Sequence, residues 1–444
     1  MLSMLGAVEI SLLQEGFAID LGWLEKFIRI LIEGIGITGV GIIVFTLILK
    51  AITLPFDIYQ RVKMRKQTLI MRNMQPELEK LQKQYANDKN MYSQKMMELY
   101  KKNGYSMFGA CLPMIISMII LIVAFSSLNT YSQYANLAMY ENMAHEYNAY
   151  ILSNSITEEE AQESEIWEET RDGETFVVIK SSAAEKFVFI EYNKGETNPT
   201  MIYKIDTDKL YALEKETIDG LISASETSLS VEQACKDFVI KNAGLAAAES
   251  YRNNPPSFLW IKNIWYPDVS YDSPIQSYEK FVGQLNSDMI LADGTEIDKK
   301  EIKSVVTEQF YNSITAQLTE EKDQANGYFV LIILSIGLMV LSQFITMKSQ
   351  KESNQYQTAD GSGMKQQKIM MIMMPLIYAI FAFMYSSAFS LYMTMSSVIG
   401  ILVTVISNVV IGRIFAQKEA EEVKKKYTRE LPAYMRKKDD NKKK

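Results

Sequence analysis

Five apolar blocks, at 36–56, 108–128, 327–346, 369–386 and 391–412, constrain this chain more than any other feature. Each is about the length that crosses a hydrocarbon core of ~30 Å at ~1.5 Å per residue. A soluble fold would have to hide all five at once, so the pattern predicts an α-helical polytopic membrane protein with a five-helix transmembrane bundle. The same reading excludes other classes. The two cysteines, Cys111 and Cys235, lie far apart, and His145 is the single histidine. That leaves no disulfide framework and no thiolate or His-rich metal site. No Gly-rich loop ends in Gly-Lys-Ser/Thr, and no pair of histidines brackets a glutamate. No catalytic residue, cofactor or metal is expected, and no DNA partner.

Charge orients the spans. Residues 57–107 hold eleven Lys/Arg against five Asp/Glu, 347–368 hold four against two, and 413–444 hold twelve against six. Short basic segments beside spans mark the cytoplasmic side. Residues 129–326 hold sixteen Lys/Arg against thirty-five Asp/Glu and are expected outside. The topology is then N-out, C-in. Residues 1–35 form an extracytoplasmic N-terminus, and the first positive charge, Lys26, comes too late for the basic region of a conventional signal peptide. Leu21, Trp23, Leu24, Phe27, Ile28 and Leu31 fall at helical spacing, opposite Glu25, Lys26 and Arg29. Either a helix lying on the membrane surface or an ordinary packed helix fits them.

Between the first two spans, 57–107 reads as a cytoplasmic helical hairpin. Met64, Met71, Met74, Leu78, Leu81 and Tyr85 keep three-four spacing, Pro76 invites a bend, and 86–88 make a turn. The second helix runs from Met91 to Lys102 and stops at Asn103-Gly104. This is either a solvated coiled hairpin or a Met-rich surface for varied apolar partners. The insertion at 129–326 reads as an extracytoplasmic α+β domain. Strands are expected at 175–180, 186–192 and 201–205, and helices at 207–218, 231–250 and 297–319.

Lys50 is the most informative residue, because it lies inside the first apolar block. A charge there is costly against lipid and usually faces a bundle interior or a watery cavity. Thr46, Lys50, Thr53 and Asp57 share one helix face. The plainer alternative is that Lys50 snorkels to the interface past Pro55. Ser117, Tyr378, Tyr385, Thr394 and Ser397 are polar residues of other spans. Each suits helix packing; together with Lys50 they suit the lining of a wet, substrate-binding groove.

Four stretches resemble the YidC/Oxa/Alb family of membrane protein insertases. They are Gly41 to Pro55 with Met74-Gln75-Pro76-Glu77-Leu78; Glu98 to Gly104 with Gly109-Ala-Cys111-Leu-Pro113-Met; Phe258-Leu-Trp260-Ile261; and Lys368 through Pro375 to Tyr392. The chain departs from the family pattern in several places. Lys50 stands where the family usually has Arg, losing the planar fork. The Asn-Pro before the Cys-Leu-Pro segment is absent. Ser117 replaces a Gln, and Ser386 to Ser390 replace a Pro-Ala-Gly. The external connections are also far longer.

The resemblance implies an insertase that passes nascent membrane proteins from the cytoplasm into the lipid bilayer. It implies a hydrophilic, positively charged groove in the inner leaflet, no nucleotide hydrolysis, and a place in the bacterial plasma membrane. It adds the ribosome, through the basic tail Lys424–Lys444, and the Sec translocon as partners. The tail equally suits anionic lipid. Two other functions compete. One is a membrane-anchored extracytoplasmic binding or sensing protein. The other is a small-solute transporter, which the lack of a detectable internal repeat disfavours.

Overall fold

The computed structural model describes residues 7–104, 107–156, 164–197, 199–225, 229–349 and 363–430, without the side chains of 107–115, 117, 118, 363–368, 370, 371 and 418–430. The chain divides into two compact units. One joins the N-terminal segment up to Phe27 to Asn129–Tyr328. The other joins Ile28–Leu128 to the segment from Phe329 onward.

The chain opens with β1 (Ala7–Ile10) and β2 (Phe17–Ile19), then α1 (Trp23–Ile35). Helix α2 (Thr38–Gln84) follows as one uninterrupted helix with Pro55 and Pro76 inside it. At ~1.5 Å per residue it is about 70 Å long, enough for a span and a hairpin arm together. The first span and the first hairpin arm are therefore parts of one helix. Gly41 is required where α1 meets α2, because a Cβ there would lie 2.8 Å from Cγ1 of Ile32. Helix α3 (Lys89–Lys102) is capped by Asp88, which accepts from the Met91 amide at 3.0 Å. It folds back on α2 through Met71, Met74, Leu78, Leu99 and Tyr100, with Met96 beside them. Several hairpin methionines are thus spent in its own core, while Met91 and Met97 remain exposed. Helix α4 (Met107–Ser153) runs without interruption well past the expected second span.

The first unit contains two sheets. Strands β3 (Glu165–Arg171), β4 (Glu174–Lys180), β5 (Val188–Asn193) and β6 (Ile202–Asp206) build a sheet of order β1-β6-β5-β4-β3. Strands β3 and β4 are joined by Asp172-Gly173, both at positive φ (51° and 88°), the conformation a two-residue hairpin needs. Helices α5 (Thr207–Leu213), α6 (Lys215–Ala224), α7 (Val231–Asn253) and α8 (Tyr278–Gln284) follow. Strands β7 (Met289–Leu291) and β8 (Glu296–Ile297) pair with β2 in the order β2-β7-β8. The expected helix over 297–319 is instead α9 (Ile302–Val305) and α10 (Glu308–Thr315), with α11 (Thr319–Lys322) beyond.

The expected N-terminus at 1–35 also divides differently. Strands β1 and β2 complete both sheets of the inserted domain. They are too short to be recognised alone and take their hydrogen bonds from β6 and β7.

A buried polar knot closes this unit. Asn326 donates to the carbonyls of Asn263 (3.0 Å) and Pro267 (2.7 Å) and accepts from the Asn263 amide (2.7 Å). Asp268, fully buried, accepts from the Tyr328 amide (2.8 Å) and Trp260 Nε1 (3.3 Å). Trp260 belongs to the Phe258–Ile261 stretch, a tight turn with Leu259 at φ 57°.

The second unit is completed by α12 (Val330–Ser349), α13 (Gly363–Met384) and α14 (Ser387–Glu430). Among the described residues, Thr38–Gln84, Val330–Ser349 and Ser387–Gln417 are long and apolar enough to cross a membrane, and Ile372–Met384 is a shorter apolar helix. Exposed Ile52, Phe56, Ile119, Ile333, Phe344, Ile380 and Ile406 give this unit an apolar outer surface, as lipid requires. Inside, Phe125 sits edge-on to Tyr385 (4.6 Å) and Phe389 (4.8 Å). The molecule is therefore a helical membrane protein with an inserted sheet-containing domain.

Candidate functional site

A cavity of about 520 Å³ opens among the apolar helices of the second unit. Helix α2 supplies Lys50, Thr53, Asp57 and Gln60, at spacings of three, four and three that keep them on one face. Leu49, Phe56, Tyr59 and Lys63 flank them. Helix α4 contributes Ile116, Ile120 and Leu121; α14 contributes Tyr392, Met393 and Ser396. The walls are thus largely apolar, while a cation and a carboxylate share one side.

Lys50 and Asp57 line the cavity together. Among the described residues neither closes an ion pair within 4.0 Å. Seven residues separate them, and pairing along a helix needs three or four. Thr53 donates its hydroxyl to the Lys50 carbonyl at 3.2 Å. The Lys63 ammonium lies 5.7 Å from the centre of the Tyr59 ring. Arg61, one turn beyond Asp57, donates to Thr404 Oγ1 at 2.7 Å and so ties α2 to α14.

The other predicted groove residues lie elsewhere. Thr46 is fully buried and donates to the Ile42 carbonyl at 2.7 Å, a bond within its own helix. Tyr378 donates to Ser335 Oγ at 2.7 Å, joining α13 to α12. Tyr385 belongs to the ring cluster around Phe125. Thr394 donates to the Ser390 carbonyl at 2.8 Å, and Ser397 is buried. None of these five lines the cavity. The Ser117 side chain lies outside the described residues, as do the side chains of the Lys424–Lys444 tail. The spacing argument did not single out Gln60, Lys63 or Tyr392 as lining residues. Gln60 alone had a signal available, as the next step of the stripe Lys50, Thr53, Asp57. Elsewhere, among the described residues, no group of three metal-ligating side chains is found.

The 60Kd inner membrane protein family matches residues 30–188 and 244–413, more than half of the chain. The chain is 38% identical over 118 residues to the membrane protein insertase YidC of Caldanaerobacter subterraneus subsp. tengcongensis, covering 27% of this chain and 54% of that protein. It is 36% identical over 111 residues to YidC of Fusobacterium nucleatum, covering 24% and 52%. It is 38% identical over 107 residues to YidC of Clostridium tetani, covering 24% and 47%. The chain spans about half the length of these curated relatives. No solved structure matches it.

Proposed function

Because the chain belongs to the 60Kd inner membrane protein family, the YidC/Oxa/Alb family that its motifs resemble, we propose that it passes nascent membrane proteins from the cytoplasm into the bilayer through the cavity lined by Lys50. It is a multi-pass protein of the bacterial inner membrane. The reading has five spans, N-terminus outside and C-terminus in the cytoplasm, as the basic segments 57–107, 347–368 and 413–444 favour.

One observation carries the reading. Lys50, which closes no ion pair within 4.0 Å among the described residues, lines a roomy cavity among apolar helices, where an acidic group of an entering chain would find it. Low dielectric strengthens that attraction. Thr53, Gln60 and Ser396 offer polar contacts, so a hydrophilic flank meets partners partway across instead of bare hydrocarbon. The apolar segment then moves into lipid. Its burial supplies tens of kcal/mol at about 25 cal/mol per Å², so no nucleotide is needed. An outside-positive potential adds ~2.3 kcal/mol per acidic charge for about 100 mV. Docking of the ribosome on the Lys424–Lys444 tail and work beside the Sec translocon belong to the same proposal.

The test is reconstitution of the full chain in proteoliposomes with single-span substrates. Lys50→Ala should slow insertion of substrates with acidic translocated tails about tenfold, as loss of one partly desolvated charge contact allows. Lys50→Arg should preserve it. Parental rates with Lys50→Ala for every substrate would remove the groove mechanism.

A second reading, a binding or sensing role for the inserted domain, has one observation in its favour. That domain has a cavity of about 510 Å³ lined by Tyr271, Asp272, Gln276, Lys280 and Lys322 among others. Under it, Lys322→Ala would abolish function in cells while insertion in proteoliposomes stays intact.

A further inference from the structure

We propose that Asp57 is a specificity-determining residue: with Lys50 it forms a two-pole receptor that reads the order of charges in a nascent segment. An acidic group is taken at the Lys50 pole, and a Lys or Arg at the Asp57 pole. This inference rests on the insertase reading and goes beyond it, because that reading uses the cation alone.

The two groups line the same cavity from the same helix. Seven residues are close to two full turns, so they share a face and are offset by about 10 Å along the axis. That offset keeps them from satisfying each other, and among the described residues no other ion pair within 4.0 Å consumes either. Their neighbours are engaged. Thr53 donates to a backbone carbonyl, the Arg61 guanidinium donates to Thr404, and the Lys63 ammonium lies near the Tyr59 ring. Arg61 closes no ion pair with Asp57 within 4.0 Å. Ile116, Ile120 and Met393 form an apolar wall, which raises the cost of any unmatched charge brought in.

The complementary ligand follows from the geometry. It carries a carboxylate and a cation about 10 Å apart, seven residues apart in a helix or about three in an extended chain. A membrane segment with an acidic translocated flank and a basic retained end has this order, which is the order the positive-inside bias favours. The reversed order sets cation against Lys50 and carboxylate against Asp57, and is rejected.

The test uses the full chain in proteoliposomes and two substrates of identical composition. One carries Asp on the translocated side of Lys, seven residues apart; the other carries the reverse. The parental protein should insert the first about fivefold faster, as one ion pair at each pole allows. Asp57→Asn should pull this ratio toward one, Asp57→Glu should restore it, and the double change Lys50→Asp with Asp57→Lys should invert it. A ratio unchanged in Asp57→Asn, or slowed insertion of both substrates at a constant ratio, overturns the proposal while leaving the insertase reading intact. Failure of the parental protein to insert even a neutral-tailed substrate overturns both.

Discussion

The Glu191 site of the sheet-containing unit and the Lys50 site of the membrane unit treat charge in opposite ways. In the sheet-containing unit, Glu191 is 2% exposed and is held on both sides. Arg171 grips its two oxygens at 3.0 Å each, and Lys204 donates at 3.1 Å. Asp268 and Asn326 are likewise satisfied by named donors and acceptors. In the membrane unit, Lys50 and Asp57 share a cavity and close no ion pair within 4.0 Å, among the described residues. A charge saturated by partners is held in the fold, whereas one left unsaturated in a low-dielectric site costs stability.

That contrast can be broken by experiment. The largest effect is expected for Glu191→Ala, which takes the buried carboxylate from Lys204 and leaves Arg171 with Glu169 alone. Because both cations are partly exposed, the loss should be about 2–3 kcal/mol rather than the full cost of a sealed site. Hydrogen exchange of β5 and β6 in the nanodisc-embedded protein reads it directly. Gly327→Ala follows. Its Cβ would lie 1.9 Å from Asp268 Oδ1, so Asp268 must move and loses its bond from Tyr328. Overpacking of this kind costs ~2 kcal/mol, visible as faster exchange around 260–275. Lys50→Met should do the opposite of Glu191→Ala. It should leave thermal stability within about 0.5 kcal/mol, or raise it, while impairing insertion. If Lys50→Met unfolds the bundle, the cavity cation is structural and the contrast fails.

The smallest effect concerns Glu141, on the part of α4 within the sheet-containing unit. Burial pushes its carboxyl up to about 7; the Gly16 and Phe17 amides pull the other way, and Glu15 adds to the rise. Its Oε2 accepts from the Gly16 amide at 2.9 Å. The neighbouring strap is held by Asn148, which bonds both the Leu13 amide and carbonyl, and by His145 against Glu15. A folded-state value above the ordinary 4.5 means the folded state binds more protons. Stability is then greatest below that ordinary value and falls as pH rises through about 7. With the intrinsic base catalysis of exchange divided out, residues 13–17 should be less protected at about pH 8 than at about pH 5, and Glu141→Gln should flatten that difference.

Much of this architecture was readable because it is written in local periodicity. Runs of apolar residues, the methionine and leucine stripe of the hairpin, the turn at 86–88 and the Lys50–Thr53–Asp57 face each depend on neighbours within a few turns. The family motifs are equally local. Three features were not readable. Strand β3 is glutamate-rich, and its apolar alternation is too weak to mark it as a strand before the Asp172-Gly173 turn. Strands β1 and β2 exist because β6 and β7 offer them partners from more than 190 residues away. The segment 297–319 has helical composition, yet pairing of β8 with β7 and short capped turns divide it.

The sequence by itself determined which segments are apolar enough to enter lipid, and that one of them carries a charge, Lys50. Tertiary structure decided which polar residues reach the cavity. Each step along a helix turns the side chain by about 100°, so helix rotation separates Ser396, which lines it, from Ser397, which does not. The same packing sends Tyr378 to Ser335 instead. Rotation and neighbour choice are properties of contacts between distant segments, and no single stretch of chain encodes them.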